Sequence, residues 1–123
     1  MAHPDAEIVR GAYEALNRGD IEGFIDAFAE DGVWHGGGQS IEGRERIGAL
    51  VTGLLEAAEG TLRIELHDVL ATDDHVVVLQ VTRAERAGRS LADRVAYVYH
   101  LEGGKIIEAF FSGDPSVQAA FWS

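Results

Sequence analysis

The feature that most constrains this chain is a change of hydrophobic period at Gly60. Before it, apolar residues recur every three or four positions; after it, they alternate. Residues 5–17 carry Ile8, Val9, Ala12, Tyr13 and Leu16 on one helical face. Gly19 fits the left-handed position that closes a helix, and Asp20 can cap the next one. Ile21, Phe24, Ile25 and Phe28 then predict a second helix, ending near Asp31 and Gly32. Residues 33–36 read as a short strand, followed by a loop opened by three consecutive glycines. A third helix starts near Gly43 and buries Ile47, Leu50, Val51, Leu54 and Leu55.

Beyond Gly60, Leu62, Ile64 and Leu66 alternate with polar residues. Residues 75–86 form a long strand that is largely apolar on both faces: Val76, Val78, Gln80 and Thr82 on one, Val77, Leu79 and Val81 on the other. Residues 93–113 read as a hairpin turning at Gly103 and Gly104, which supply the positive φ of a tight turn. Its first strand sets Asp93, Val95, Tyr97, Tyr99 and Leu101 on one face; its second sets Ile107, Ala109, Phe111 and Gly113 together. Phenols beside a carboxylate suit a ligand pocket better than a dry core, because such groups need partners when buried. The tail after Pro115 is expected to close Phe121 and Trp122 over something apolar. The pattern predicts an α+β fold, with three N-terminal helices on one side of a curved, mainly antiparallel sheet.

Length and composition narrow the functions. A chain of 123 residues, 46% hydrophobic, makes one domain over residues 1–123. No run approaches the roughly 20 apolar residues of a membrane span, and no apolar leader opens the chain, so a cytoplasmic protein is expected. Ten basic residues against 21 acidic ones give a net charge of −11, which opposes nucleic acid and anionic membranes as partners. Without cysteine there is no disulfide, thiolate nucleophile or cysteine zinc site. His67, His75 and His100 read as solvent or interface residues. No histidine pair has helical metal-site spacing, so neither metal nor cofactor is expected. The triple glycine lacks the context of a dinucleotide or phosphate loop and reads as a rim over a pocket. Val77, Leu79, Val81, Val98 and Phe110 would leave an exposed apolar sheet face, which predicts a homodimer.

Several stretches carry a family resemblance: Asn17-Arg18-Gly19-Asp20, residues 28–35 (FAEDGVWH), residues 41–47 (IEGRERI) and residues 101–106 (LEGGKI). With the order of elements, they resemble the nuclear transport factor 2-like superfamily, in its SnoaL-like and ketosteroid isomerase-like branch. The resemblance spans essentially the whole chain. It implies a cone-shaped fold, often dimeric, with a pocket between helices and sheet, and activities such as isomerisation, polyketide cyclisation or epoxide hydrolysis. Position by position, the isomerase's catalytic carboxylate falls near Gly36, its helix-one tyrosine on Ala12, and its second oxyanion-hole acid on Tyr97. The epoxide hydrolase triad falls on Val78, Gln80 and Phe111, which argues against that activity.

The same register implies a pocket lined by Trp34, Leu50, Leu54, Val78, Gln80, Thr82, Asp93, Val95, Tyr97, Tyr99, Ala109 and Phe111. In the leading expectation, Tyr97, with Tyr99 or Gln80, donates to a carbonyl oxygen as an enolate forms. Asp93 or His35 takes the proton from the adjacent carbon. This describes a cofactor-independent isomerase or cyclase acting on a small hydrophobic carbonyl compound. Each residue has a plainer reading. Asp93 can meet Arg94 or solvent, the tyrosines and Tyr13 can simply pack, and alternation points His35 outward unless a bulge turns it in. A protein that only binds an apolar ligand and a dimerising interaction module stay open beside the enzyme.

Overall fold

Asn17, at the end of the first helix, acts as a substitute strand partner. Its carboxamide donates to the Ile64 carbonyl and accepts from the Ile64 amide, both at 2.8 Å, tying helix to sheet where the period changes. In this computed structural model, which describes residues 3–36 and 38–123, that helix is α1, Pro4–Asn17. The His3 side chain caps it, and Val9, Ala12, Tyr13 and Leu16 are buried. The Asp20 carboxylate accepts from Gly23 N at 2.9 Å and starts α2, Ile21–Ile25.

Here the expected second helix stops short. Phe28 does not continue its stripe; it opens β1, Phe28–Gly36, because Ala27 O accepts from Ile106 N and Phe28 pairs in parallel with Ile106. Long-range sheet pairing overrides the local helical spacing. β1 turns back into β2, Gln39–Glu42, a strand where a loop was expected; Trp34 pairs with Ile41 and His35 with Ser40. Of the three glycines of the expected rim, Gly37 lies outside the described residues. α3, Arg44–Ala57, follows Gly43 as read, and Arg44 Nε donates to Phe28 O at 2.7 Å.

The remaining strands are β3 (Arg63–Ala71), β4 (His75–Arg86), β5 (Arg89–Glu102) and β6 (Lys105–Ser112), and α4, Pro115–Trp122, ends the chain. The β5–β6 turn runs through Gly103 and Gly104, at φ of +58° and +79°, with Glu102 facing Lys105. The six strands lie in the order β2-β1-β6-β5-β4-β3, antiparallel except for β1 with β6. Register shifts interrupt β1–β6, β3–β4 and β5–β6, and such bulges bend and twist the strands they occupy. The core lies between the inner sheet face and the helices: Val9, Phe28, Ile47, Val76, Val78 and Ile106 are all within 2% of full burial. No helix among the described residues is long and apolar enough to cross a membrane.

Candidate ligand cavity

Two chambers that share six wall residues lie between helices and sheet. The inner one is about 110 Å³ and reaches from Leu16, Phe24, Phe28 and Ile47 to Gln80, Thr82, Tyr97 and Tyr99. The outer one is about 370 Å³ and is bounded by Gly36, Gln39, Ile41, Phe111, Pro115 and Ala119. Trp34, Leu50, Leu54, Tyr97, Gln118 and Trp122 line both and form the partition. The walls are mostly apolar, with a few polar groups placed among them, as in small-molecule sites generally.

The polar end of the inner chamber is a chain of hydrogen bonds across three elements. Tyr13 on α1 donates to Gln80 Oε1 on β4 at 2.8 Å, and the Tyr13 and Tyr99 hydroxyls are bonded to each other. Gln80 Nε2 donates to Thr82 Oγ1 at 3.2 Å. Since Tyr13 gives its proton to Gln80, Tyr99 must be the donor in the phenol pair. Tyr97 stands one pleat along β5, stacked on Tyr99 at 5.9 Å and edge-on to Phe111 at 5.5 Å. Burial pushes the Tyr97 phenol up to about 12; the Trp34 side chain, bonding to it, works in the opposite direction, and the Asp93 charge raises it further. Burial also raises Tyr13 and Tyr99 well above the usual phenol range, so all three are neutral donors at pH 7.

The close approach of backbone and indole explains Gly36. A Cβ there would meet Trp34 Cη2 at 2.6 Å and Cζ2 at 2.9 Å, so the indole curls over a residue without a side chain. That is where the resemblance would put the isomerase's carboxylate. Ala12 carries no phenol; one residue on, Tyr13 places its hydroxyl at the inner end of the cavity, bonded to Gln80. Sequence reasoning assigned Tyr13 to packing; the available signal was a hydroxyl on a buried stripe, which needs a partner. Gln118 was also missed as a wall residue; Trp122, expected to close over something apolar, lines both chambers one helical turn further on.

Of the expected pocket residues, Trp34, Leu50, Leu54, Gln80, Thr82, Tyr97 and Tyr99 line the inner chamber, and Phe111 lines the outer one. Val78 and Ala109 are fully buried and line neither chamber. Val95, on the same face of β5, is also buried outside both. Asp93 faces Thr82 across the β4–β5 ladder but does not line a chamber; its Oδ2 accepts from Gln118 Nε2 at 2.8 Å. Gln118 Oε1 in turn accepts from the Trp122 indole at 2.9 Å. The expected partners of Asp93, Arg94 or solvent, give way to α4.

His35 needs correction as a candidate base. The bulge that would turn it inward lies between Phe28 and Val33 instead, so alternation holds and His35 faces the opposite side of the sheet. There its ring stacks on Phe110 at 4.7 Å, with Nδ1 2.8 Å from Ser40 Oγ and Nε2 3.1 Å from Glu108 Oε2. Among the described residues, no cluster of His, Cys, Asp or Glu has the grouping of a metal site.

Comparison with known proteins agrees with this architecture. The uncharacterized protein Rv0034 of Mycobacterium tuberculosis is 32% identical over 126 residues, covering 97% of this chain and 96% of that protein. The structure of Bal32a, from a soil-derived mobile gene cassette, is 30% identical and superposes with a TM-score of 0.91, over 98% of this chain and 97% of that one. Rv0760c from Mycobacterium tuberculosis, solved in complex with estradiol-17beta-hemisuccinate, shares the fold at 18% identity and a TM-score of 0.81, over 94% and 98%. Residues 9–109 match the SnoaL-like domain, and the chain belongs to that family, within the α+β nuclear transport factor 2-like fold.

Proposed function

We propose that this protein binds a small apolar molecule carrying a carbonyl or similar oxygen, with Tyr97 donating a hydrogen bond to that oxygen. The observation that carries the reading is the position of Tyr97. Its phenol lines both chambers, is neutral at pH 7, and is held by aromatic contacts on two sides. A fixed, partly desolvated donor on an apolar wall favours an acceptor oxygen. Rv0760c, a fold relative, was solved with a steroid derivative, which supports an apolar ligand here by analogy of fold alone. The test is binding measured through the two tryptophans, both of which line the cavity. Tyr97→Phe should weaken a ketone about three- to tenfold, the value of one hydrogen bond, and leave a hydrocarbon of the same shape unaffected. Equal loss for both ligands would show a packing role and remove the assignment.

A second reading, proton transfer by an isomerase or cyclase type of mechanism, is favoured by the electrostatic coupling between Asp93 and Tyr97. Asp93 would take a proton from the carbon next to the carbonyl while Tyr97 steadies the oxygen, once Gln118 releases the carboxylate. Deuterium exchange from heavy water into a bound ketone separates the two readings. Exchange that Asp93→Asn abolishes while binding persists supports catalysis; no exchange above the solution rate leaves a binding protein.

A further inference from the structure

We infer that the cavity selects an uncharged, elongated ligand whose head is smaller than a six-membered ring and whose apolar body lies in the outer chamber. This rests on the proposed reading of the cavity as a ligand site and adds which compounds it accepts. Size sets the first limit. The inner chamber, about 110 Å³, is smaller than the roughly 150 Å³ cavity that holds a benzene molecule. A six-membered ring overfills it, whereas the 370 Å³ outer chamber takes a substantial body. Trp34, Tyr97 and Trp122 line both chambers, so a ligand filling both passes beside them.

Charge sets the second limit. Among the described residues, no Arg, Lys or His side chain lines either chamber, so a carboxylate or phosphate would be desolvated without a counter-charge. Asp93, tied to Gln118 beside the partition, adds repulsion. An ammonium fares no better, since no carboxylate lines either chamber. Hydrogen bonding sets the third limit. The protons of Tyr13, Tyr99 and one Gln80 N–H are committed within the buried chain. Among the described residues the Tyr97 and Thr82 hydroxyls have no acceptor in bonding range, so the head meets donors and should present an acceptor.

The experiment compares butanone, longer straight-chain 2-alkanones, and straight-chain carboxylates of the same lengths. A cyclohexanone with the same tail serves as an oversized head. Tryptophan fluorescence reads the dissociation constant. Each methylene reaching the outer chamber should tighten ketone binding about fourfold. The carboxylates and the tailed cyclohexanone should bind at least about tenfold more weakly than the matched methyl ketone. Ala119 lines only the outer chamber, so Ala119→Trp should abolish the gain from the tail and leave butanone itself unaffected. Carboxylates or the tailed cyclohexanone binding as tightly as the methyl ketone would overturn the inference while leaving a ligand cavity. Ketones that obey the tail rule but ignore Tyr97→Phe would uphold it and overturn the role proposed for Tyr97. Failure of every compound to bind would overturn both.

Discussion

The hydroxyls of Tyr13 and Tyr99 are hydrogen-bonded to each other at the closed end of the cavity, and this bond joins the first helix to the sheet. Its direction follows from Gln80, whose Oε1 accepts the Tyr13 proton and leaves Tyr99 to donate. The two phenols therefore differ in cost. Tyr13→Phe strips the donor from Gln80 Oε1 in a buried site and should cost about 1–3 kcal/mol. Tyr99→Phe removes a donor from an oxygen that still has its own proton to give, and should cost about 0.5–1.5 kcal/mol. Urea unfolding at constant m-value measures both. The reverse order would mean that the proton chain runs the other way.

The three tyrosines of this chain all face one cavity, and burial raises all three pKa values. For a phenol, a folded pKa above the unfolded value of about 10 means that the native state holds its proton while the unfolded state loses it. Stability is then complete below about pH 10 and falls as pH rises, through about 12 for Tyr97. Tyrosinate absorbance should thus show no ionisation at the ordinary phenol value. It should instead appear above it, together with loss of tertiary structure. A normal, reversible titration of even one tyrosine with the fold intact would contradict the buried network.

The periodic parts of this fold were legible because they obey local rules. α3, the β5–β6 turn at Gly103 and Gly104, and the inward face of β4 follow from spacing and turn chemistry. What sequence reading missed depends on partners far along the chain. Phe28 continues a helical stripe on paper, yet Ile106 draws it into a strand. β2 is a strand only because β1 lies beside it, and its own residues, Gln39, Ser40, Ile41 and Glu42, have no buried alternation. The phenol of Tyr13 gains its meaning from Gln80 and Tyr99 on two other elements. His35 was read correctly by alternation as outward; the bulge invoked to bring it inside lies elsewhere in β1.

The outer sheet face carries a row of directly opposed residues: Leu70, Val77, Val98 and Phe110, continued by His35 and Ser40. Leu70 is 57% exposed, Leu79 in the neighbouring row 39% and Phe110 38%, whereas Val81 is already buried within the chain. An apolar patch of this kind favours self-association, and the prediction is a homodimer that closes this face. Sedimentation at micromolar concentration should give twice the chain mass. Leu79→Asp with Phe110→Glu should halve it without affecting the cavity, because neither residue lines a chamber. A wild-type monomer would refute the pairing.

Gln118 couples the inner sheet face to the terminal helix. It donates to Asp93 at 2.8 Å and accepts from Trp122 at 2.9 Å, so one carboxamide holds both the carboxylate and an indole of the cavity wall. Gln118→Glu would set two carboxylates at hydrogen-bond distance. Like charges side by side repel, which should release Trp122 and increase its quenching by acrylamide. Gln118→Ala removes the tether without adding a charge, so its quenching should rise by less, and added salt should lower the Gln118→Glu value alone. The contrast between the two variants isolates the Asp93 contact: if Gln118→Glu is quenched no more than Gln118→Ala and ignores salt, then Asp93 does not hold the helix, and Trp122 alone fixes the wall.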